Sequence, residues 1–302
     1  MRPDPRDIRF LLAVAEHGTF MSAAKAENIS QPALSSRIAR LERQLGVRLV
    51  ERGRHGAVLN KYGELVLRHA RAVDTILDRI VEEVELEQRG FVGPLIIGCT
   101  PVAATQLVPK AISQMGKSGE RIMISIHEEE DEALLEKLLG GEIEMALGGI
   151  GSRTQHANII QEKLADFQIQ AVVGKASPIW NEKSVTLAKL TDQQWALPAT
   201  GGIFREQIEA AFLNSGTPFP RTFWSCSGII SLKGLIQNTD CVSLMPSHAF
   251  ALEAGAGVIR GIKLQGLHID RSVAIMRLRH ANLSPLAKRF IEALHKVALC
   301  LT

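Results

Sequence analysis

Apolar positions over the first ninety residues recur at helical spacing. From residue 95 they change to short unbroken runs separated by helical stretches. Ile8, Leu11, Leu12 and Ala15 predict a helix over 5–17, stopped by Gly18. Thr19 stands where an N-cap belongs, before a second helix over 20–27 whose small residues Ala23, Ala24 and Ala26 let a neighbour pack close. Asn28-Ile29-Ser30 is the turn, with Ile29 the one apolar residue able to plug the core. Ser30 caps a third helix, and Pro32 falls in its first turn, where no backbone N–H is needed. Leu34, Ile38, Leu41 and Leu45 form that helix's buried stripe, which places Ser36, Arg40 and Arg43 opposite, flanked by Ser35 and Ala39.

Residues 47–60 read as a two-stranded wing: one strand over 48–52, a turn at Gly53–Gly56 crowded by Arg52, Arg54 and His55, and a return strand over 57–60. Residues 61–89 contain no Pro and only Gly63, so they predict one helix of about 43 Å. Val66, Ala70, Val73, Leu77, Ile80 and Val84 alternate at four and three residues along it. So narrow a stripe on so long a helix predicts a partner helix, hence dimerisation through 61–89. Gly90 to Pro94 ends the helix and connects it to the rest.

The outer face of the third helix is slim and hydrogen-bonding at its start (Gln31, Ser35, Ser36) and basic further on (Arg37, Arg40, Arg43). Slim polar side chains reach base edges in a major groove, and guanidinium groups meet phosphates. A solvated amphipathic helix would show a similar face; the preceding helix, the short turn and the caps favour DNA. A basic hairpin beside such a helix would lie along the backbone or dip into the minor groove. The alternative is a solvated turn.

Three motifs stand in register: S-Q-P-A-L-S over Ser30–Ser35, L-E-x-x-L-G over Leu41–Gly46, and R-L-x-E-R-G over Arg48–Gly53. With the flanking residues, this stretch resembles the N-terminal domain of LysR-type transcriptional regulators. The likeness continues, more weakly, over the whole chain. Two positions depart from the family's pattern. Ser36 stands where Arg is frequent, and Val50 where an aromatic is usual.

The resemblance implies an α/β protein with an N-terminal winged helix-turn-helix, a long dimerisation helix and a two-lobed, periplasmic-binding-protein-like effector domain. The expected bounds are 1–60 for the DNA-binding domain (helix-turn-helix 19–38), 61–90 for the linker helix and 91–302 for the effector domain. Its first lobe would take 94–165 and 270–302, its second 166–269. Thr19, Ser22, Ser30, Gln31, Pro32, Ser35, Ser36, Arg37, Arg40, Arg52 and Arg54 are the expected DNA contacts.

The residues agree with this division. From Leu95 the chain alternates strand and helix: strands over 95–99, 121–126, 144–148, 168–173, 195–197, 221–225, 241–245 and 271–277, with helices over 102–115, 132–139, 204–214, 229–237 and 286–300. Chain crossings near 165–167 and 266–270 would separate the lobes. Open α/β sheets bind ligands beyond the carboxyl ends of their strands. The candidate effector residues are therefore Thr100, Pro101 and Val102, then His127 and Glu128, then Gly148 and Gly149, then Thr200, Gly201 and Gly202 with Phe204 as an apolar wall, and Ser225. Helix starts there favour a small anion, which Glu128 would oppose. For each residue singly, turn chemistry and helix capping are the alternative.

Composition adds three points. Net charge is only +3, yet residues 1–71 carry 13 basic against 7 acidic side chains, while 72–90 carry 2 against 6. The basic character is thus concentrated where DNA would lie. Nothing resembles a targeting or membrane-spanning segment, so a cytoplasmic protein is expected. Cys99, Cys226, Cys241 and Cys300 show no CxxC, and reduced thiols without metal are expected. The family includes oxidant sensors, for which Cys226 and Cys241 are the only candidate pair here.

Enzymatic motifs fail. The run at Gly116-Lys117-Ser118 lacks the first glycine of a phosphate loop, which falls at Ala111, and His127–Asp131 lacks the second histidine of HExxH. No cofactor is implied. A solute receptor would suit residues 91–302 alone, but the first ninety residues argue against it. The resemblance adds a tetramer of two dimers on promoter DNA, an activator or repressor role, and RNA polymerase as a possible partner.

Overall fold

The computed structural model describes residues 3–53, 56–116, 119–151, 154–221, 223–266 and 270–301. It divides into two compact units, the first built on residues 1–90 with 137–143 and the second on 91–136 and 144–302.

The first unit runs α1 (Pro5–His17), α2 (Phe20–Ala26), α3 (Gln31–Leu45), β1 (Val50–Gly53), β2 (Gly56–Leu59) and α4 (Lys61–Gln88). Each helix start has its own oxygen. Asp4 accepts from the Arg6 N–H, Thr19 from Ser22 at 3.0 Å, Ser30 from Ala33 at 3.3 Å, and Asn60 from Tyr62 and Gly63. Gly18 and Gly46 close α1 and α3 in the left-handed conformation. Leu11, Val14, Ala23, Leu34, Ile38, Leu41 and Leu49 make the core. Leu45 is a correction to the predicted stripe: it is 38% exposed, and fully buried Leu49 fills the core in its place. The cause is local, because the left-handed turn at Gly46 swings the chain back and Glu42 Oε1 accepts from the N–H groups of Leu49 and Val50.

The seam of α4 divides in two. Leu67 and Ala70 are buried against Ile8, Leu12, Ala15 and Leu59, and Val66 packs on the main core, so the first turns belong to their own domain. Farther along, Ile76, Leu77, Ile80, Val81 and Val84 are at least half exposed.

The second unit contains β3 (Phe91–Cys99), α5 (Pro101–Thr105), α6 (Leu107–Met115), β4 (Arg121–Glu128), α7 (Asp131–Leu139), β5 (Met145–Gly149) and β6 (Ile159–Gly174). It continues with β7 (Ser184–Val185), α8 (Leu187–Leu190), β8 (Trp195–Pro198), α9 (Ile203–Asn214), β9 (Phe223–Cys226), α10 (Ile229–Asn238) and β10 (Val242–Pro246). It ends with α11 (Ala251–Gly255), β11 (Ile259–Leu264), β12 (Asp270–Leu278) and α12 (Pro285–Leu301). The strand order is β4-β3-β5-β12-β6-β10-β8-β9, with β11 pairing β6 and β7. Parallel β4-β3-β5 and antiparallel β12 carry one core, which α12 covers with Leu286, Phe290, Leu294 and Val297. Trp195, Leu197, Phe212, Val242 and Leu244 anchor the other.

Several elements differ from expectation. The helix expected over 102–115 breaks at Gln106. Within one continuous helix the ring of Pro109 would clash with the Thr105 carbonyl and leave it without a donor; starting a new helix at Leu107 puts the proline in a first turn. The crossing expected near 165–167 is no loop. β6 runs sixteen residues, pairing β12 from Ile159 to Gln168 and β10 from Ile169 to Val173. Of the second crossing, residues 267–269 lie outside the described residues. Strand pairing begins at Phe91, so most of the expected 90–94 connector is strand. Finally, β7, α8, α11 and β11 were unforeseen.

Candidate functional site

Two places assemble chemistry. The first is the outer face of α3. Gln31, Pro32, Ser36 and Arg43 are exposed and Ser35 is half-buried, with Gln31 Nε2 donating to Ser35 Oγ at 3.0 Å. Thr19 and Ser22, also exposed, join hydroxyls at 2.9 Å beside this face. Arg37 and Arg40 turn elsewhere. Arg40 Nε donates to Asp7 Oδ2 at 2.7 Å and its Nη2 to Asp4 Oδ2 at 2.8 Å, while Arg37 Nη1 reaches Asp7 Oδ1 at 3.4 Å. The hydrogen bond to Asp7 holds the Arg40 guanidinium above its ordinary range. The Arg6 backbone N–H, joined by Arg40, holds Asp4 below the usual carboxylate range. Arg40 thus lies toward the start of α1 and not among the residues opposite the stripe.

The wing pairs Val50 with Leu59 through Gly53 with Gly56. It is pinned by the Ala57 N–H donating to the Gly18 carbonyl at 2.9 Å. A side chain at Gly56 would strike that carbonyl, since a Cβ would come within 2.5 Å of it. Arg52 stands in β1, and Arg54 lies outside the described residues.

The second place is a cavity of about 380 Å³ in the second unit. Of the expected effector residues, Thr100, Pro101, Val102, Thr200, Gly201, Gly202 and Phe204 line it. His127, Glu128 and Ser225 do not. Strand geometry explains the last, because β9 runs to Cys226 and alternate residues face opposite sides; Cys226 lines the cavity and Ser225 is exposed. Gly148 and Gly149 lie behind the wall. The Gly149 N–H donates to Asp131 Oδ1 at 2.7 Å, and a Cβ on Gly148 would collide with that carboxylate.

The sequence reading missed the cavity's charged residues. Asp131 and Arg271 are each 4% exposed and face one another at 3.5 Å. Arg271 Nη1 also donates to Gln207 Oε1 at 3.3 Å, and the guanidinium lies 5.1 Å from the Phe204 ring. Arg271 comes from β12 and its α9 partners from the other lobe, so one side chain ties the lobes together. Burial pushes the Asp131 carboxyl up and Arg271 down, each opposed by its partner. Glu130, also lining the cavity, is pushed up by burial and by Asp131. The acidic residues at the cavity are therefore Glu130, Asp131 and Glu132, in place of the expected Glu128. Arg205 is buried, donating to Glu209 and the Pro198 carbonyl, with Phe219 and Phe223 at 4.9 and 4.7 Å. A signal existed in the sequence: an arginine opening an apolar strand, as Arg271 does, needs a buried partner.

Helices α9 and α10 begin at the cavity with Gly202 and Gly228 as N-caps, so no capping side chain covers their first N–H groups. Val102, Phe204, Ile229, Leu232 and Met245 supply apolar wall. Burial pushes Cys99 up to about 12 and raises Cys226 and Cys241 as well, which disfavours their thiolates. Among the described residues no cluster could hold a metal, and no helix is long and apolar enough to cross a membrane.

A winged helix-turn-helix carried with a two-lobed α/β unit that encloses a small-molecule-sized cavity defines a ligand-responsive DNA-binding regulator. The family models agree. Residues 5–64 match "Bacterial regulatory helix-turn-helix protein, lysR family", and residues 88–299 match "LysR substrate binding domain". The chain belongs to the LysR family of transcriptional regulators, which are not enzymes. It is 28% identical over 291 residues to the HTH-type transcriptional regulator GbpR of Azospirillum brasilense, covering 96% of this chain and 85% of that one. It is 26% identical to the hydrogen peroxide-inducible genes activator of Dickeya chrysanthemi, covering 82% and 80%. Full-length LysG from Corynebacterium glutamicum with bound effector Arg shares the fold at 19% identity and a TM-score of 0.66, covering 98% of each chain. Regulators of this family bind promoter DNA, form oligomers and bind small-molecule effectors.

Proposed function

We propose that the chain reads promoter DNA with the N-terminal half of α3 and answers to a small anionic effector held in the cavity. Gln31, Pro32, Ser35 and Ser36 face base edges, and Thr19, Ser22, Ser30 and the wing residues Arg52 and Arg54 follow the phosphates. Arg37 and Arg40 border this face. The observation that carries the reading is the exposed Gln31 donating to the half-buried Ser35 on the first turns of α3. A second copy of α4 covers Leu77, Ile80 and Val84, and two such dimers form a tetramer near a promoter, with RNA polymerase the further partner. The working division is 1–60, 61–90 and 91–302, and the protein acts in the cytoplasm.

In the cavity, the open N–H groups of α9 and α10 favour an anionic head. Phe204, Ile229 and Leu232 favour an apolar body. Arg271 joins the head to lobe position, and ligand binding shifts the balance between lobe arrangements only as far as it favours one of them. Site selection from random duplexes tests the DNA half: Gln31→Ala and Ser35→Ala relax base preference, and unaltered preference removes both residues from direct readout. For the effector half, a panel of small carboxylates is screened by thermal shift. A hit that Arg271→Gln leaves unweakened removes Arg271 from the site.

A further inference from the structure

Among the described residues of the first unit, Asp7 is the most deeply buried charged side chain, with no exposure, and it lies in the first turn of α1. An unpaired buried carboxylate is costly; this one is satisfied by Arg40 and Arg37, with Asp4 alongside. Two carboxylates thus meet two guanidiniums, and the cluster carries no net charge. The arginines keep 38% and 40% exposure, so their outer edges remain within reach of an incoming phosphate. Arg43, one turn beyond Arg40 on the same helix, meets no carboxylate among the described residues and donates from Nε to the Ala39 carbonyl at 3.3 Å.

The consequence for DNA is electrostatic. Generic duplex affinity comes from protein cations that replace condensed counterions, one for each neutralised phosphate. A guanidinium already neutralised by a carboxylate contributes little unless it gives that partner up. Building on the DNA reading above, we infer that Asp7 and Asp4 hold Arg37 and Arg40 in reserve, lowering affinity for arbitrary DNA and leaving discrimination to the polar start of α3. Asp7 is in this sense a positioning residue that sets the ratio of specific to non-specific binding.

Anisotropy titrations of the full chain on a labelled duplex of mixed sequence, over a range of salt, test the inference. Asp7→Asn steepens the slope of log affinity against log salt by up to about 0.9 for each guanidinium released, and tightens mixed-sequence binding. Asp4→Asn changes both in the same direction by less; asparagine also caps helices, so the start of α1 is kept. Adding Arg40→Gln to Asp7→Asn removes part of the gain, and adding Arg37→Gln as well removes the rest. A purely structural role for Asp7 would weaken binding and leave the slope no steeper. The inference is overturned if both asparagine variants, folded by circular dichroism, leave generic binding and slope unchanged, or if the gain survives loss of both Arg37 and Arg40. Should Asp7→Asn not fold, Asp4→Asn alone decides. Absence of duplex binding by the unaltered chain at low salt would overturn the DNA reading first, and this inference with it.

Discussion

Each unit buries a carboxylate against arginine, and the two do so in opposite ways. In the reading unit Asp7 is sealed while Arg37 and Arg40 keep more than a third of their surface in water. In the effector unit both Asp131 and Arg271 are sealed, with a backbone N–H, Gln207 and Phe204 completing the shell. The open arrangement lets a large polyanion compete for cations at the surface. The closed one can be altered only by something small enough to enter the cavity. On the function proposed above, exposure would tune the same pair of residue types to two classes of partner.

The sharpest way to break this contrast is Asp131→Ala. It leaves Arg271 buried without its counter-charge and should cost the effector unit about 3–5 kcal/mol, read by urea unfolding. Replacing both partners with apolar residues of similar size should recover most of that. A loss under about 1 kcal/mol would mean that the site is wetter than its geometry shows.

A smaller effect concerns His248, buried in the same unit with its ring 3.7 Å from that of Phe167. Burial, and then the charge of Arg271, press His248 down from 6.5 to about 3. The native state therefore refuses a proton that the unfolded chain accepts below 6.5. The stability this gives is fully present above that pH and is lost progressively as pH falls toward 3. The loss is about 1.4 kcal/mol per unit of pH. His248→Phe should flatten the unfolding free energy between pH 6 and 4.5, and an unchanged slope would point to another group.

The smallest effects belong to the helix caps of the reading unit. Thr19→Ala and Ser30→Ala should each cost about 1 kcal/mol by removing one cap, with wild-type unfolding behaviour otherwise. Losses of 3 kcal/mol or more would make these caps as decisive as the sealed pair.

The helix-turn-helix was legible because helix periodicity, caps and a short turn all act over a few residues. Thr19, Ser30 and Gly18 announce their roles locally. The arginines of α3 were placed by wheel geometry alone, and Asp7, thirty-three positions before Arg40, is what draws that side chain aside. The cavity was half legible for the same reason. Glycines and helix starts at 100–102 and 200–204 carry local signals, whereas Asp131 and Arg271 meet only through tertiary folding. A one-residue slip in the end of β9 exchanged Ser225 for Cys226, as strand alternation dictates. Pro109 was a readable signal left unused.

Strand β6 carries one last implication. Its hydrogen bonds pass from β12 to β10 between Gln168 and Ile169 without a break, and among the described residues the pairing with β12 shifts register between Val273 and Ala274. A swinging door needs slack backbone, and this strand has none at that point. On the function proposed above, relative movement of the lobes would twist this shared strand, and an occupant of the cavity would be felt outside the domain as a small rotation.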